Sequence, residues 1–314
     1  MRSGPKINMN NIKKPVHAGI TLFEEYPLEA LVDFVNWSYF FHEWRLNGRY
    51  PAIFDDPLKG EEARKLFTDA QQMIARIIKE KWMSANGVAG IFPANAVGDD
   101  IEVYSIETSD QILTTFHFLR NQQPQENKPN YCLSDFIAPK ESHLTDYIGC
   151  FAVTAGIGIE QKVEEFVKAH DDYNALMLKI LANRLAEAFS EALHLKVRKE
   201  LWGYDAEESL MIDELLLGKY RGIRPAPGYP ACPDHSGKSE IFGLLNAIEN
   251  TGISLTETYM MNPAASVCGW YFANPQATYF SVGKISKEQV IDYAQRKKIS
   301  VEEAEKWLAA VVGY

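Results

Sequence analysis

The chain contains no apolar run approaching the roughly 20 residues that a membrane-spanning helix needs. Its opening, Met1-Arg2-Ser3-Gly4-Pro5-Lys6, lacks the apolar stretch of a signal peptide. Cysteine is scarce: Cys132, Cys150, Cys232 and Cys268 lie far apart with no C-x-x-C spacing, which indicates neither a zinc knuckle nor a redox dithiol. Isolated thiols suit a reducing, cytoplasmic compartment. Positive charge is in deficit, with 32 Lys and Arg against 42 Asp and Glu and a net charge of -10. That balance argues against nonspecific binding to nucleic acid or to an anionic membrane. A nucleophile elbow, a phosphate loop, a dinucleotide fingerprint and an H-E-x-x-H helix are all missing. There are no internal repeats or low-complexity blocks. What remains is an ordinary globular composition, 46% hydrophobic and 24% charged, with apolar residues enough for a sizeable core.

One stretch stands apart. Residues 220–235, Tyr-Arg-Gly-Ile-Arg-Pro-Ala-Pro-Gly-Tyr-Pro-Ala-Cys-Pro-Asp-His, are too rich in proline for a helix or a central strand. Each proline biases its predecessor toward extended geometry, so Arg224, Ala226, Tyr229 and Cys232 are expected to be extended in a stiff loop with free backbone groups. A rigid loop loses little entropy on binding. Arg224 offers a planar donor fork suited to a carboxylate or phosphate, and Tyr229 a ring with a hydroxyl tip. A structural connector and a binding loop both remain open at this level. The cluster Cys232, Asp234 and His235 suggests a metal or thiol site, but a proline-locked loop is poorly able to turn all three onto one ion.

Residues 1–18 read as a loosely held, flexible arm, and residues 19–314 as one domain. Pro27 can open a helix running to Trp44, rich in aromatics and with Asn36 as its polar exception. A second helix is expected over Glu61–Lys81. Short strands follow at Gly87–Phe92 and Ile101–Tyr104, then a helix at Gln111–Gln122 and a polar loop at Gln123–Asn130. Strands are expected at Tyr131–Ile137 and Tyr147–Thr154. A single long helix is predicted from Ile159 to Trp202; Asn183, Glu187, Ser190, Glu191 and His194 fall off its apolar stripe and read as a solvated face. Shorter helices are expected at Ala206–Lys219 and Lys238–Asn250, and strands at Ser254–Tyr259, Ser266–Phe272 and Thr278–Lys284. Alternation on the last strand sends Tyr279 and Phe280 to opposite faces. Capping boxes at Ser286 and Ser300 start two terminal helices, whose acidic second member makes a DNA-reading pair improbable.

Several stretches together carry a family resemblance. The segment at 221–235, Val88-Ala89-Gly90-Ile91-Phe92-Pro93-Ala94-Asn95, Tyr131-Cys132-Leu133-Ser134-Asp135-Phe136, Arg184-Leu185-Ala186-Glu187-Ala188-Phe189, Ser266-Val267-Cys268-Gly269-Trp270-Tyr271-Phe272 and Lys306-Trp307-Leu308 follow one another as in a known domain. The chain resembles, from about residue 17 onward, the S-adenosylmethionine-binding activation domain of cobalamin-dependent methionine synthase. The resemblance implies a single α+β domain of C-like outline, a twisted antiparallel sheet flanked by helices. It implies S-adenosylmethionine as ligand, held by Asn36, Glu187, Arg224, Ala226, Tyr229, Tyr279 and Phe280, with no catalytic or metal-ligating residue. Asn36 departs from an aspartate in relatives and forfeits a charge opposite a cationic ligand. The expected activity is reductive reactivation, with cobalamin carried by a separate domain or chain and electrons from a flavodoxin or flavoprotein. Alternatives are a docking subunit for a corrinoid protein with weak or lost ligand binding, and a stand-alone methyltransferase or hydrolase using Cys232, Asp234 and His235.

Overall fold

The fold is described from a computed structural model, covering residues 5, 7–9, 11–108, 111–123 and 129–314. Residues 124–128 of the expected polar loop, and 1–4, 6 and 10 of the expected arm, lie outside the described residues. Within that arm, the Lys13 carbonyl accepts the Trp202 indole N–H at 2.8 Å and the His17 N–H reaches the Leu201 carbonyl at 2.8 Å.

A six-stranded, wholly antiparallel sheet forms the frame. Its strands are β1 (Gly19–Phe23), β2 (Ser84–Val97), β3 (Asp100–Tyr104), β4 (Ile112–His117), β5 (Asp146–Ile157) and, after the two-residue pair β6 (Ser254–Leu255) and β7 (Met261–Asn262), β8 (Ser266–Tyr271). The order is β4-β3-β2-β5-β8, with β1 also on β2. β1 and β3 share one edge of β2, pairing with residues 87–91 and 94–97 respectively.

Alternation decides what each face meets. Ala89 and Ile91 of β2, Phe151 and Val153 of β5, and Tyr271 of β8 enter one core with the helices α1 (Trp37–Glu43), α2 (Gly60–Glu80), α3 (Ile159–Lys168) and α4 (Asp172–Lys196). Val88, Phe92, Cys150, Ala152, Cys268 and Trp270 face the opposite core, closed by α6 (Lys238–Leu245), which follows the single-turn α5 (Ile212–Leu216), and by Ile223 and Cys232. α7 (Ala247–Thr251) completes that layer, and α8 (Lys287–Lys297) and α9 (Val301–Trp307) form a small third core. Both terminal helices start where the capping boxes place them, on Ser286 and Ser300.

Several expected elements are corrected. The 27–44 segment is two pieces, a 3-10 helix Leu28–Phe34 and α1, because Asn36 stays extended and its side chain accepts the Tyr39 N–H, starting a new helix. The 159–202 helix is interrupted: His170 takes a left-handed φ of 57° and Asp171 caps α4 by accepting the Asn174 N–H at 3.1 Å. Its C-terminal end is a π turn, Val197–Leu201. Ile112–His117 is strand rather than helix, since its β-branched residues pair along β3. Tyr131–Ile137 is not a strand but holds a 3-10 turn, Leu133–Phe136, fixed by the Asp135 carboxylate accepting the Cys132 N–H at 2.8 Å. Lys238–Asn250 divides at Asn246, which is left-handed. The expected 206–219 helix contracts to α5, and Ser254–Tyr259 to β6.

The Thr278–Lys284 strand is absent because the edge of β8 is already taken. Ile223 and Phe272 exchange both backbone hydrogen bonds, at 3.1 and 3.0 Å, and the Trp270 N–H donates to the Pro225 carbonyl at 3.0 Å. The proline-rich loop therefore enters the sheet as a short edge segment, and its backbone is less free than its composition suggests.

Candidate functional site

Arg224 leaves that edge pointing toward α4. Its backbone N–H donates to the Tyr279 phenol oxygen at 3.0 Å. Its guanidinium meets Glu191, whose two carboxylate oxygens stand 2.5 and 2.8 Å from Nη1. Nε and Nη2 have no partner among the described residues, and the side chain is 18% exposed. One edge of the fork is thus anchored and the other is unpaired, on a residue that lines a cleft.

That cleft has a volume of about 610 Å³. α4 supplies one wall through Arg184, Glu187, Ala188 and Glu191, which share a face by their helical spacing. Phe34, Asn36 and Tyr39 border it from the first helical pair, Leu215–Gly218 and Tyr220 from the segment after the π turn, and Tyr229 and Tyr279 at its mouth. The Glu187 carboxylate makes no hydrogen bond or ion pair with another described residue. Arg184 Nε lies 3.0 Å from Glu43. Asn36 turns its oxygen to the Tyr39 N–H at 3.5 Å, leaving its amide N–H groups available.

A second polar layer lies beneath. Arg198 and Glu208 form a bidentate pair at 2.6 and 2.8 Å, both almost fully buried, and the Arg198 guanidinium sits 4.3 Å from the centre of the Tyr220 ring. His194 is fully buried, stacked on Tyr271 and 3.1 Å from the Tyr204 hydroxyl. Burial, with Arg198 and Arg224 nearby, holds its pKa well below the usual imidazole value, so the ring is neutral. Burial raises Glu191 despite the pull of Arg224 and Arg198; at Arg224 burial is the largest single influence and lowers the group, but Glu191 together with Tyr220, Tyr279 and Glu187 raises it overall.

Asn36, Glu187, Arg224, Tyr229 and Tyr279 all line the cleft. Ala226 and Phe280 do not line it. Ala226 lies in the turn behind Tyr229, its carbonyl accepting the Tyr229 N–H at 3.2 Å, and its own N–H has no partner among the described residues. The Phe280 ring packs against Tyr131 instead, with centroids 5.7 Å apart. Cys232, Asp234 and His235 diverge: the Cys232 thiol donates to the Ala226 carbonyl at 2.9 Å, Asp234 accepts from Ser236 and Tyr293, and His235 Nδ1 meets Lys238 Nζ at 2.8 Å. Burial pushes the Cys232 thiol up, away from a reactive thiolate.

Glu191, Arg184 and Tyr220 were not foreseen as cleft residues. Ser190, Glu191 and His194, expected on a solvated face, are buried. The signal was present in the seven-residue spacing of Arg184, Glu187 and Glu191, but what covers that face comes from segments distant in sequence, among them Phe34, Tyr220, Arg224 and Tyr271.

An antiparallel sheet whose edge loop presents an arginine fork into a cleft of carboxylates and phenol rings defines the class, an α+β domain with a preformed polar, aromatic-walled site. Among the described residues, no group of three or more His, Cys, Asp or Glu could hold a metal ion, and no helix is long and apolar enough to cross a membrane. Comparison with known proteins narrows the class. The family model for the activation domain of vitamin B12 dependent methionine synthase matches residues 27–298. A crystal structure of the MetH reactivation domain bound to AdoHcy is 48% identical with a TM-score of 0.94, over 96% of this chain and 93% of that one. The chain belongs to the family of activation domains of vitamin B12-dependent methionine synthase.

Proposed function

We propose that this domain binds S-adenosylmethionine in the Arg224 cleft and presents its methyl group to cobalamin carried by a separate domain or chain. The observation that carries the reading is the half-occupied fork of Arg224, a cleft-lining residue anchored through Nη1 with Nε and Nη2 unpaired. That free edge suits the ligand's methionyl carboxylate. The unpaired Glu187 suits its ammonium or ribose hydroxyls, and the Ala226 N–H and Asn36 amide supply further donors. Tyr229 and Tyr279 offer aromatic faces at the cleft, while the Phe280 ring packs against Tyr131.

The sulfonium is already an activated methyl donor, so methyl transfer together with one electron converts cob(II)alamin to methylcobalamin and leaves S-adenosylhomocysteine. The chain's own task is then to bind and orient rather than to move a proton. A flavodoxin or flavoprotein is the proposed electron source, residues 19–314 the proposed binding unit, and the cytoplasm the proposed setting; four buried free cysteines accord with the last. The test is calorimetry with S-adenosylmethionine. Wild-type binding that is lost or weakened at least about tenfold in Arg224→Ala, the loss of a charge-assisted contact, is expected. No wild-type binding, or binding indifferent to Arg224→Ala, would overturn the reading.

A further inference from the structure

Glu191 is a carboxylate that burial alone would disfavour. It is 8% exposed on α4, in the same cleft wall as a second, unpaired carboxylate one helical turn away at Glu187. A buried ion pair of this kind is weak support for stability, because taking two charges out of water offsets most of their attraction. Its geometry has another consequence. Both Glu191 oxygens engage Nη1 alone, so the pair orients the guanidinium plane without consuming its Nε–Nη2 edge. The backbone end of the same residue is held independently by the Tyr279 hydroxyl. Arginine otherwise has several rotatable bonds to freeze, and ordering them at the moment of binding would weaken the complex.

We infer that Glu191 is a positioning residue for the ligand's carboxylate: it acts through Arg224, holding the fork in the orientation that receives an α-amino-acid end. The inference rests on the ligand reading above and extends it to a cleft residue whose two carboxylate oxygens are both committed to Arg224. It separates two parts of the ligand, since only the amino-acid end depends on the fork. An adenosine thioether without that end, 5′-deoxy-5′-methylthioadenosine, uses the rest of the cleft and is indifferent to Arg224.

The experiment measures the affinity of the full chain for S-adenosylhomocysteine and for 5′-deoxy-5′-methylthioadenosine in the wild type, Glu191→Ala and Glu191→Gln. Glu191→Ala is expected to lower affinity for the first at least about tenfold and to leave the second unchanged. Glu191→Gln, which keeps an acceptor for Nη1, should show a smaller loss of the same selectivity and supplies the measurement if the alanine variant does not fold. Unchanged or tighter binding of S-adenosylhomocysteine overturns the role, the latter by showing that Glu191 competes with the ligand. An equal fall for both ligands also overturns it, as damage to the cleft. Failure of the wild type to bind S-adenosylhomocysteine removes the ligand reading itself, whereas wild-type binding untouched by either substitution removes only Glu191.

Discussion

Gly269 on β8 faces the backbone of Pro225 so closely that a Cβ there would stand 2.4 Å from the Pro225 carbonyl oxygen. The loop bearing Arg224 can therefore lie on the sheet edge only because the strand beneath it has no side chain at that point. A backbone carbonyl does not rotate aside as a flexible side chain would.

Gly269→Ala should push the loop off β8 and carry Arg224 with it. We expect a stability loss of about 1–3 kcal/mol from overpacking, together with weaker S-adenosylmethionine binding although residue 269 does not line the cleft. Thermal unfolding and calorimetry on one preparation check both effects; full affinity in the variant would refute the coupling.

The Arg198–Glu208 pair sits where neither charge can reach water. Glu208→Gln or Arg198→Met alone should cost about 3–5 kcal/mol, because each strands a buried charge. Replacing both by apolar residues of similar volume should recover most of that loss. Denaturant titration of the singles and the double decides it, and additive losses would contradict the account. Arg198→Met also removes the cation beside the Tyr220 ring.

His194 makes stability depend on acidity. Its folded pKa is depressed, so below the unfolded value near 6.5 the unfolded chain takes up a proton that the folded one refuses. Stability supplied by the neutral ring is present above that value and is lost as pH falls. Relative to His194→Phe, the wild type should lose about 1.4 kcal/mol per pH unit below 6.5. Paired denaturation curves from pH 7 to 5 test this, with a constant difference as the opposing result.

Asp146 works in the opposite sense. Burial raises its carboxyl from 3.8 to about 6, although the Ala138 and Tyr147 N–H groups donate to it at 2.9 and 2.7 Å. Between those values the folded state holds a proton that the unfolded state has released, so stability falls as pH rises from about 4 to 6. Asp146→Asn leaves one of the two N–H groups without an acceptor and should be less stable at low pH. The wild-type advantage should then shrink by up to about 3 kcal/mol across that window. An advantage that grows with pH would contradict the burial argument.

The chain's local chemistry determined a good deal without tertiary help. The α2 periodicity, the caps at Ser286 and Ser300 and the apolar runs of β2 and β5 are short-range properties of backbone and side chain, and each is found where the residues place it. Motif likeness named Asn36, Glu187, Arg224, Ala226, Tyr229, Tyr279 and Phe280 together as a ligand site, and all but Ala226 and Phe280 line one cleft. Tertiary structure alone decided that the proline loop would occupy the β8 edge and exclude a 278–284 strand, and that Ile112–His117 would be strand. It also turned Glu191 and His194 inward. Those outcomes depend on which distant segment arrives to cover a face, and a polar residue on a helix reads as solvated until that cover exists. Glu191 has the same local sequence either way; Arg224, brought to it by the sheet, together with Arg198, makes burial of its charge tolerable.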